Sequence, residues 1–397
     1  MPALSFLDAR SMVLREVRDR FTAPPVEAIA LGQCSGRVLA EDIASDRDYP
    51  PFHRSAVDGF AIRAVDVPGR VRLIGEVRAG DTFHGSVSAG EAVEIMTGAP
   101  VPLGADAVVM VEHCVRNADG MVSTDRGSEE GGNVVPRGSQ AREGVVLLPR
   151  GKRIDYTAVN WLAATGHARV KVFMRPVVAV IATGDELVEV EAAPAADQIR
   201  NSNAWSLRAQ IARAGAIPLV LPIARDKQDE TRGLIERGLA EADLLLLSGG
   251  VSAGKFDVVE PALAELGAEF FFDRIKIQPG QPLVFGRVRE KFFFGLPGNP
   301  GSTMVTFELF ARAAIDLISG SSDAPLPMML ARLTEPFRHK PGLTRFLPAQ
   351  VDCGEVTPIG WRGSGDVPAL CRANAFLVAN EERAEYAAGE TIPVILK

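Results

Sequence analysis

The chain has 397 residues, more than one hydrophobic core organises, so about two to four domains are expected. Lys plus Arg number 43 against 50 Asp plus Glu, a formal charge of −7, which leaves no basic field for a nucleic-acid backbone or an anionic membrane. Hydrophobic residues at 47% and charged residues at 23% exclude intrinsic disorder for the chain as a whole. The cysteines Cys34, Cys114, Cys353 and Cys371 make no CxxC pair, and the histidines show no HExxH spacing, so a structural zinc site is not expected. The opening MPALSFLDARSMVLREV carries acids and arginines where a signal peptide needs an apolar stretch, and runs such as Val177 to Ala182 are far too short to span a bilayer. A reduced, cytoplasmic protein with no membrane and no nucleic-acid partner is expected.

In chain order, Ser5 followed by Asp8 reads as a capping-box variant, and Phe6, Val13, Val17 and Phe21 recur at helical spacing up to Pro24-Pro25. From 46 to 148, short apolar runs (VRLIGEV, AVEIM, AVVMVEH, VVLL) alternate with glycine turns, which predicts a β-rich domain. A helical pattern returns in DYTAVNWLAATG, with Gly166 placed for a C-cap. It is expected to rejoin the N-terminal helix as one discontinuous linker domain, 1–45 plus 149–170. Over 171–324, apolar strands (VVAVIA, IPLVLPI, DLLLLSGG, FFFGLPG) alternate with amphipathic helices, the pattern of a doubly wound parallel sheet covered on both faces. After the proline-marked PLPMML, residues 325–397 read as a small C-terminal β domain of barrel type.

Ligands of a doubly wound sheet bind beyond the carboxyl ends of its strands. Three turns there are unusual: TGDEL (Thr183 to Leu187), SGGVSAGKFD (Ser248 to Asp257) and LPGNP (Leu296 to Pro300); a fourth strand runs into Ala224-Arg225-Asp226. Small residues let backbone amides approach a phosphate or oxyanion, which marks Gly184, Ser248, Gly249, Gly250 and Ser252. Glu186, Asp226 and Asp257 gather carboxylates at one rim, a set suited to Mg²⁺ bridging phosphates. The structural alternatives are ordinary: glycine after a strand is most often a turn, and Asp226 and Asp257 equally suit helix N-caps. Gly249 with Gly254-Lys255 also satisfies GxxxxGK, but Phe256 stands where Ser or Thr must hold the metal. A P-loop-like nucleotide hydrolase, with EFFFD (Glu269 to Asp273) as a weak Walker B imitation, is therefore only a remote alternative.

Taken with GRVLAEDIASDRDYPPFHRSAVDGFAIRA, IMTGAPVPLGADAVVMVE and GSGDVPALCRANAFLVA, these motifs in this order resemble the molybdopterin molybdenumtransferase family, bacterial MoeA and the E domains of plant and animal molybdenum insertases including gephyrin. The resemblance spans nearly the whole chain. It implies a cytoplasmic homodimer of four-domain protomers that inserts molybdate into the dithiolene of adenylylated molybdopterin, releases AMP and uses Mg²⁺. It also implies a cleft between subunits, with a molybdopterin adenylyltransferase-type protein and apo-molybdoenzymes as partners. Matched residue by residue, Asp58 and Thr97 come from the β-rich domain, and Glu186, Asp226 and Asp257 from the sheet domain; Asp58, Asp226 and Asp257 are candidates to hold Mg²⁺, Asp226 and Asp257 foremost, or to take a proton, two roles that the sequence does not separate. Pro297 and Pro300 shape the pocket wall, and Arg345 and Ser364 face it from the C-terminal domain.

The chain also departs from the family pattern. Gln140 stands where an acidic residue is common, and the usual KPGKP segment reads IQPGQP, so two expected lysines are Gln278 and Gln281; Arg274 and Lys276 nearby retain positive charge. Val57 and Gly301 are milder changes. A charge-assisted hydrogen bond contributes about 1.5–3 kcal/mol against about 0.5–1.5 for a neutral one, so the two glutamines weaken oxyanion binding by about one to three orders of magnitude. Two classes follow: an insertase relying on Arg274, Lys276 and Arg345, or a pterin-binding or scaffold paralogue with weakened or lost insertion.

Overall fold

The computed structural model describes residues 2–250 and 258–397. The chain forms two compact units, one of Met1–Glu41, Arg150–Asp155 and Arg169–Lys397, the other of Asp42–Pro149 and Tyr156–Ala168.

In the first unit, helix Phe6–Arg20 is capped by Ser5, whose hydroxyl accepts from the Asp8 amide, and it buries Phe6, Ala9, Val13 and Val17. Strand Val26–Ala30 pairs antiparallel with Arg169–Phe173, returning the N-terminal segment to the stretch just before the α/β region. That region holds a six-stranded sheet in the order Ile217–Val220, Val177–Ala182, Leu244–Ser248, Lys291–Leu296, Val284–Val288, Glu269–Phe272. The first four are parallel, as the apolar runs predict, while Val284–Val288 runs against them and the edge strand Glu269–Phe272, antiparallel to Val284–Val288, runs with them, so the sheet is mixed. Both faces are covered. Val178, Val180, Leu244 and Leu246 pack with helices Phe6–Arg20 and Ser202–Arg213, whereas Ala179, Ile181, Leu245 and Leu247 pack against Ile235, Leu239, Ala262 and Leu263 of the opposite helices. Successive side chains of a strand point to opposite faces, so a strand that is apolar at every position is needed to seal both layers. EFFFD supplies the antiparallel edge strand, and Glu269 there pairs with Arg20; it is an edge, not a nucleotide-site strand.

The C-terminal strands Met328–Leu333, Thr344–Asp352, Glu355–Pro358, Ala375–Ala379 and Thr391–Leu396 close into a barrel, since Thr344–Asp352 pairs with both Glu355–Pro358 and Ala375–Ala379. Ala331, Leu333, Ala349, Val356, Leu377 and Val394 fill it. The short strand Ile277–Gln278 runs parallel to Thr344–Arg345 and ties the barrel to the α/β region.

The second unit is built on a six-stranded sheet ordered Ala107–Met110, Gly59–Ile62, Glu91–Ile95, Gly69–Val77, Met121–Thr124, Cys114–Arg116. Helix Tyr156–Ala164 groups with this unit rather than with the N-terminal helix. Its end is a Schellman turn in which the Gly166 amide donates to the Ala163 carbonyl and the His167 amide to the Leu162 carbonyl, Gly166 lying at φ 79°. Among the described residues, no helix is long and apolar enough to cross a membrane.

Candidate active site

The carboxyl ends of the parallel strands open into a cleft of about 560 Å³. Gly184, Glu186, Asp226, Ser248, Gly249, Gly250, Pro297 and Pro300 line it, as expected from their places after the strands. Ser252 and Asp257, with Gly254, Lys255 and Phe256 of the P-loop imitation, lie outside the described residues.

The turns are braced against one another. The Thr183 amide donates to the Ser248 carbonyl at 3.0 Å and the Gly184 amide to the Ala224 carbonyl at 3.1 Å. The Gly249 amide donates to the Leu296 carbonyl at 3.1 Å. The amides of Gly184 and Gly249 therefore join neighbouring strand ends and are not the phosphate cradle that small residues suggest. Glycine at 249 and 250 has a packing reason: at φ 92° and 64°, an added Cβ would sit 2.7 Å from the Thr183 carbonyl oxygen and 2.8 Å from its hydroxyl. Neither the conformation nor the space admits a side chain.

The acidic rim is cross-linked as well. The Asp226 amide donates to Asp185 Oδ1 at 3.2 Å, the Asp185 amide approaches Asp226 Oδ2 at 3.4 Å, and Arg225 donates to the carbonyls of Asp185 and Leu187, each at 3.1 Å. Asp226 is not a helix cap, because the following helix Gln228–Glu241 has Lys227 at its N-cap and no side-chain cap bond. Glu186 is exposed beside it. No cluster of three or more His, Cys, Asp or Glu suited to a metal occurs among the described residues.

The cleft also contains residues that strand-end reasoning missed. Asn201, Ser202 and Asn203 line it at the start of helix Ser202–Arg213, where Asn201 caps by accepting from the Ala204 amide. That N-terminal turn brings a fixed partial positive charge to the cleft. The sequence signal was present, since RNSN just ahead of an amphipathic run is an N-cap pattern. Thr183, 4% exposed, keeps a hydroxyl with no partner among the described residues.

The other predicted residues lie elsewhere. In the β-rich unit, Asp58 Oδ1 accepts from the Thr97 amide at 2.6 Å and its hydroxyl at 2.7 Å. The amide bond first, and the hydroxyl second, hold the Asp58 carboxyl below its ordinary pKa. Gln140 donates its amide to the Tyr49 carbonyl at 2.9 Å. Gln278 is the register partner of Arg345, whose Nε donates to the Lys340 carbonyl at 3.3 Å. Arg274 and Lys276 are exposed on the same segment, and the Gln281 carbonyl accepts from the Ile275 and Leu283 amides. None of these five lines the cleft, although Pro282, next to Gln281, does. The Ser364 carbonyl accepts from the Gly301 amide at 2.7 Å, one residue beyond the cleft wall at Pro300.

Three family models match the chain: the MoeA N-terminal region (domain I and II) over residues 4–166, a probable molybdopterin binding domain over 179–316 and the MoeA C-terminal region (domain IV) over 330–397. A molybdopterin molybdenumtransferase of Bacillus subtilis (strain 168) is 36% identical over 384 residues, covering 93% of this chain and 89% of the relative. One from Staphylococcus aureus (strain COL) is 32% identical, covering 96% and 94%. Among solved structures, a molybdopterin biosynthesis moeA protein from Pyrococcus horikoshii OT3 superposes over the full length of both chains with a TM-score of 0.84 at 28% identity. Another from Pyrococcus horikoshii gives 0.75 at 31%, over 100% of this chain and 99% of that one.

Proposed function

The chain belongs to the molybdopterin molybdenumtransferase family, and on that premise we propose that it is a transferase that inserts molybdate into adenylylated molybdopterin, releasing AMP and yielding molybdenum cofactor. The observation that carries this reading is the cleft itself, where the carboxylates of Glu186 and Asp226 and the first turn of helix Ser202–Arg213 share one wall system. A diphosphate-linked nucleotide needs both kinds of group, donors toward its oxygens and carboxylates for a bridging cation.

Mg²⁺ is typically held by one or two carboxylates plus substrate phosphates rather than by an all-protein cage. The described donors at the rim fit that pattern: Asp226 and Glu186 would hold the ion, and Asp257, outside the described residues, is proposed from the family resemblance as a further ligand. When bound, it would neutralise charge on the phosphoanhydride as AMP departs. The side chains do the remaining work. Arg225 fixes the turn that carries Glu186, the reciprocal amide-to-carboxylate contacts of Asp185 and Asp226 hold those two carboxylates, and Asn201 sets the helix start at which phosphate oxygens would sit. Asp58, kept ionised by Thr97, is proposed to act from the second subunit of a homodimer, positioning metal-bound or substrate groups. Arg345, with Arg274 and Lys276, is proposed to attract the molybdate dianion beside Gln278 and Gln281, and Ser364 is carried along in that set. The proposed compartment is the cytoplasm, with an adenylyltransferase-type donor and apo-molybdoenzyme acceptors as partners.

The test is AMP release by the purified protein supplied with adenylylated molybdopterin, molybdate and Mg²⁺. Release that requires all three supports the assignment, and no release under these conditions overturns it.

A further inference from the structure

Asn203 stands where two of the cleft's loops meet and is assigned no role by the reading above. Its Nδ2 donates to Ser248 Oγ at 3.0 Å and to the Gly298 carbonyl at 2.7 Å. One amide group thus spans the end of strand Leu244–Ser248 and the turn after strand Lys291–Leu296 from a third element, the helix Ser202–Arg213. The two loops are otherwise in close approach, with a Cβ at Gly298 meeting the Gly249 Cα at 3.6 Å.

The orientation of the amide is set by chemistry. A carbonyl accepts and never donates, so the group facing Gly298 must be the NH₂; reversing the amide would put two acceptors 2.7 Å apart. The other end, Oδ1, is then buried without a partner among the described residues. An unsatisfied buried acceptor opposes folding, so stability alone gives no reason for an amide here. What it supplies is two N–H bonds aimed at two loops. One has a chemical consequence. Because Ser248 Oγ accepts from Asn203, the hydroxyl proton of Ser248, a residue lining the cleft, is directed away from Asn203.

We propose that Asn203 is a positioning residue: by donating to Ser248 Oγ and the Gly298 carbonyl it fixes both loops and orients the Ser248 hydroxyl as a donor to an oxygen of the bound phosphoanhydride. This rests on the transferase reading for the identity of the ligand, not for the geometry. Asn203 itself touches no reacting atom and acts through Ser248.

The test is a double-mutant cycle of Asn203→Ala and Ser248→Ala, with Asn203→Asp as a fourth variant. Each is measured for single-turnover AMP release, for KM against kcat, for AMP affinity by calorimetry and for thermal unfolding. Loss of positioning of this kind costs up to roughly a hundredfold in rate. Each single variant is expected to slow release by about ten- to a hundredfold, mainly in kcat, and the double variant to lose no more than the slower single, because the two side chains act in series. Asn203→Asp, which keeps the shape but cannot donate, is expected to behave like Asn203→Ala. Multiplying losses in the double variant, or wild-type release by Asn203→Asp, would overturn the inference. If Asn203→Ala fails to fold, Asn203→Asp takes its place in the cycle. If the wild type releases no AMP, the transferase reading fails, and the cycle is read in AMP dissociation constants, where independent effects of the two residues overturn the positioning role.

Discussion

Gly301 and Gly233 offer one chemical change with two opposite outcomes. Both are helical glycines, so Ala at either position gains about 1 kcal/mol of helix propensity. At Gly233, in helix Gln228–Glu241, an added Cβ meets nothing within 4 Å, and the gain stands at about 0.5–1 kcal/mol. At Gly301, in helix Pro300–Thr306, the same Cβ would sit 2.7 Å from the Ser364 carbonyl oxygen and 3.2 Å from Leu370 Cδ1. The first of these is backbone and cannot swing away. Forcing it back costs about 1–3 kcal/mol as overpacking, and the Gly301 amide bond to that carbonyl, 2.7 Å long, loses part of a further 0.5–1.5 kcal/mol or so. Steric cost exceeds propensity, and Gly301→Ala is expected to be less stable than wild type by about 0.5–3 kcal/mol once the propensity gain is subtracted. Urea unfolding midpoints of the two variants measure this, and AMP calorimetry should show weaker binding only in Gly301→Ala, whose neighbour Pro300 forms the cleft wall. If Gly301→Ala raises the midpoint as Gly233→Ala does, the approach of Ser364 described above is wrong.

Thr97→Val removes one of the two donors to Asp58, so the Asp58 carboxyl should move up toward the ordinary value near about 3.9, as read by NMR titration. A depressed carboxylate favours the folded state above its unfolded pKa and loses that contribution as pH falls through the folded one, so the variant should lose this contribution at higher pH than wild type; an unmoved titration would contradict it. Asp226→Asn keeps the shape of the rim but removes its charge, and should slow Mg²⁺-dependent AMP release roughly a hundredfold, while wild-type rates would remove Asp226 from the site. Gln278→Lys with Gln281→Lys should tighten molybdate binding by about one to three orders of magnitude, the register pairing of Gln278 with Arg345 placing one new charge beside an existing one. An unchanged dissociation constant would show that this segment does not meet the oxyanion.

The α/β architecture was legible because strands buried on both faces must be apolar throughout, and Val177–Ala182 and Leu244–Leu247 are. The reversed direction of Val284–Val288 was not, since an apolar run carries no direction: Val284 and Phe285 read the same whichever way their strand points. Strand ends led to Glu186, Asp226, Ser248 and Pro297 as residues that line the cleft, because position after a strand is a one-dimensional property. Asn203 and Thr183 reached the same cleft through a helix start and a buried hydroxyl, whose relevance depends on neighbours distant in sequence. The opposite error appears at Gly184 and Gly249. Small residues signal close backbone approach, and the approach is real, but it is made by adjoining strands rather than left open to phosphate.

Whether the chain inserts molybdenum is read by following AMP and pterin-bound molybdenum together in a single turnover of the purified protein with adenylylated molybdopterin, Mg²⁺ and a molybdate titration. The two products should appear together in equal amounts and at the same rate, saturating with molybdate. Tight retention of the pterin nucleotide with neither product formed, or AMP release with no molybdenum incorporated, would contradict insertion.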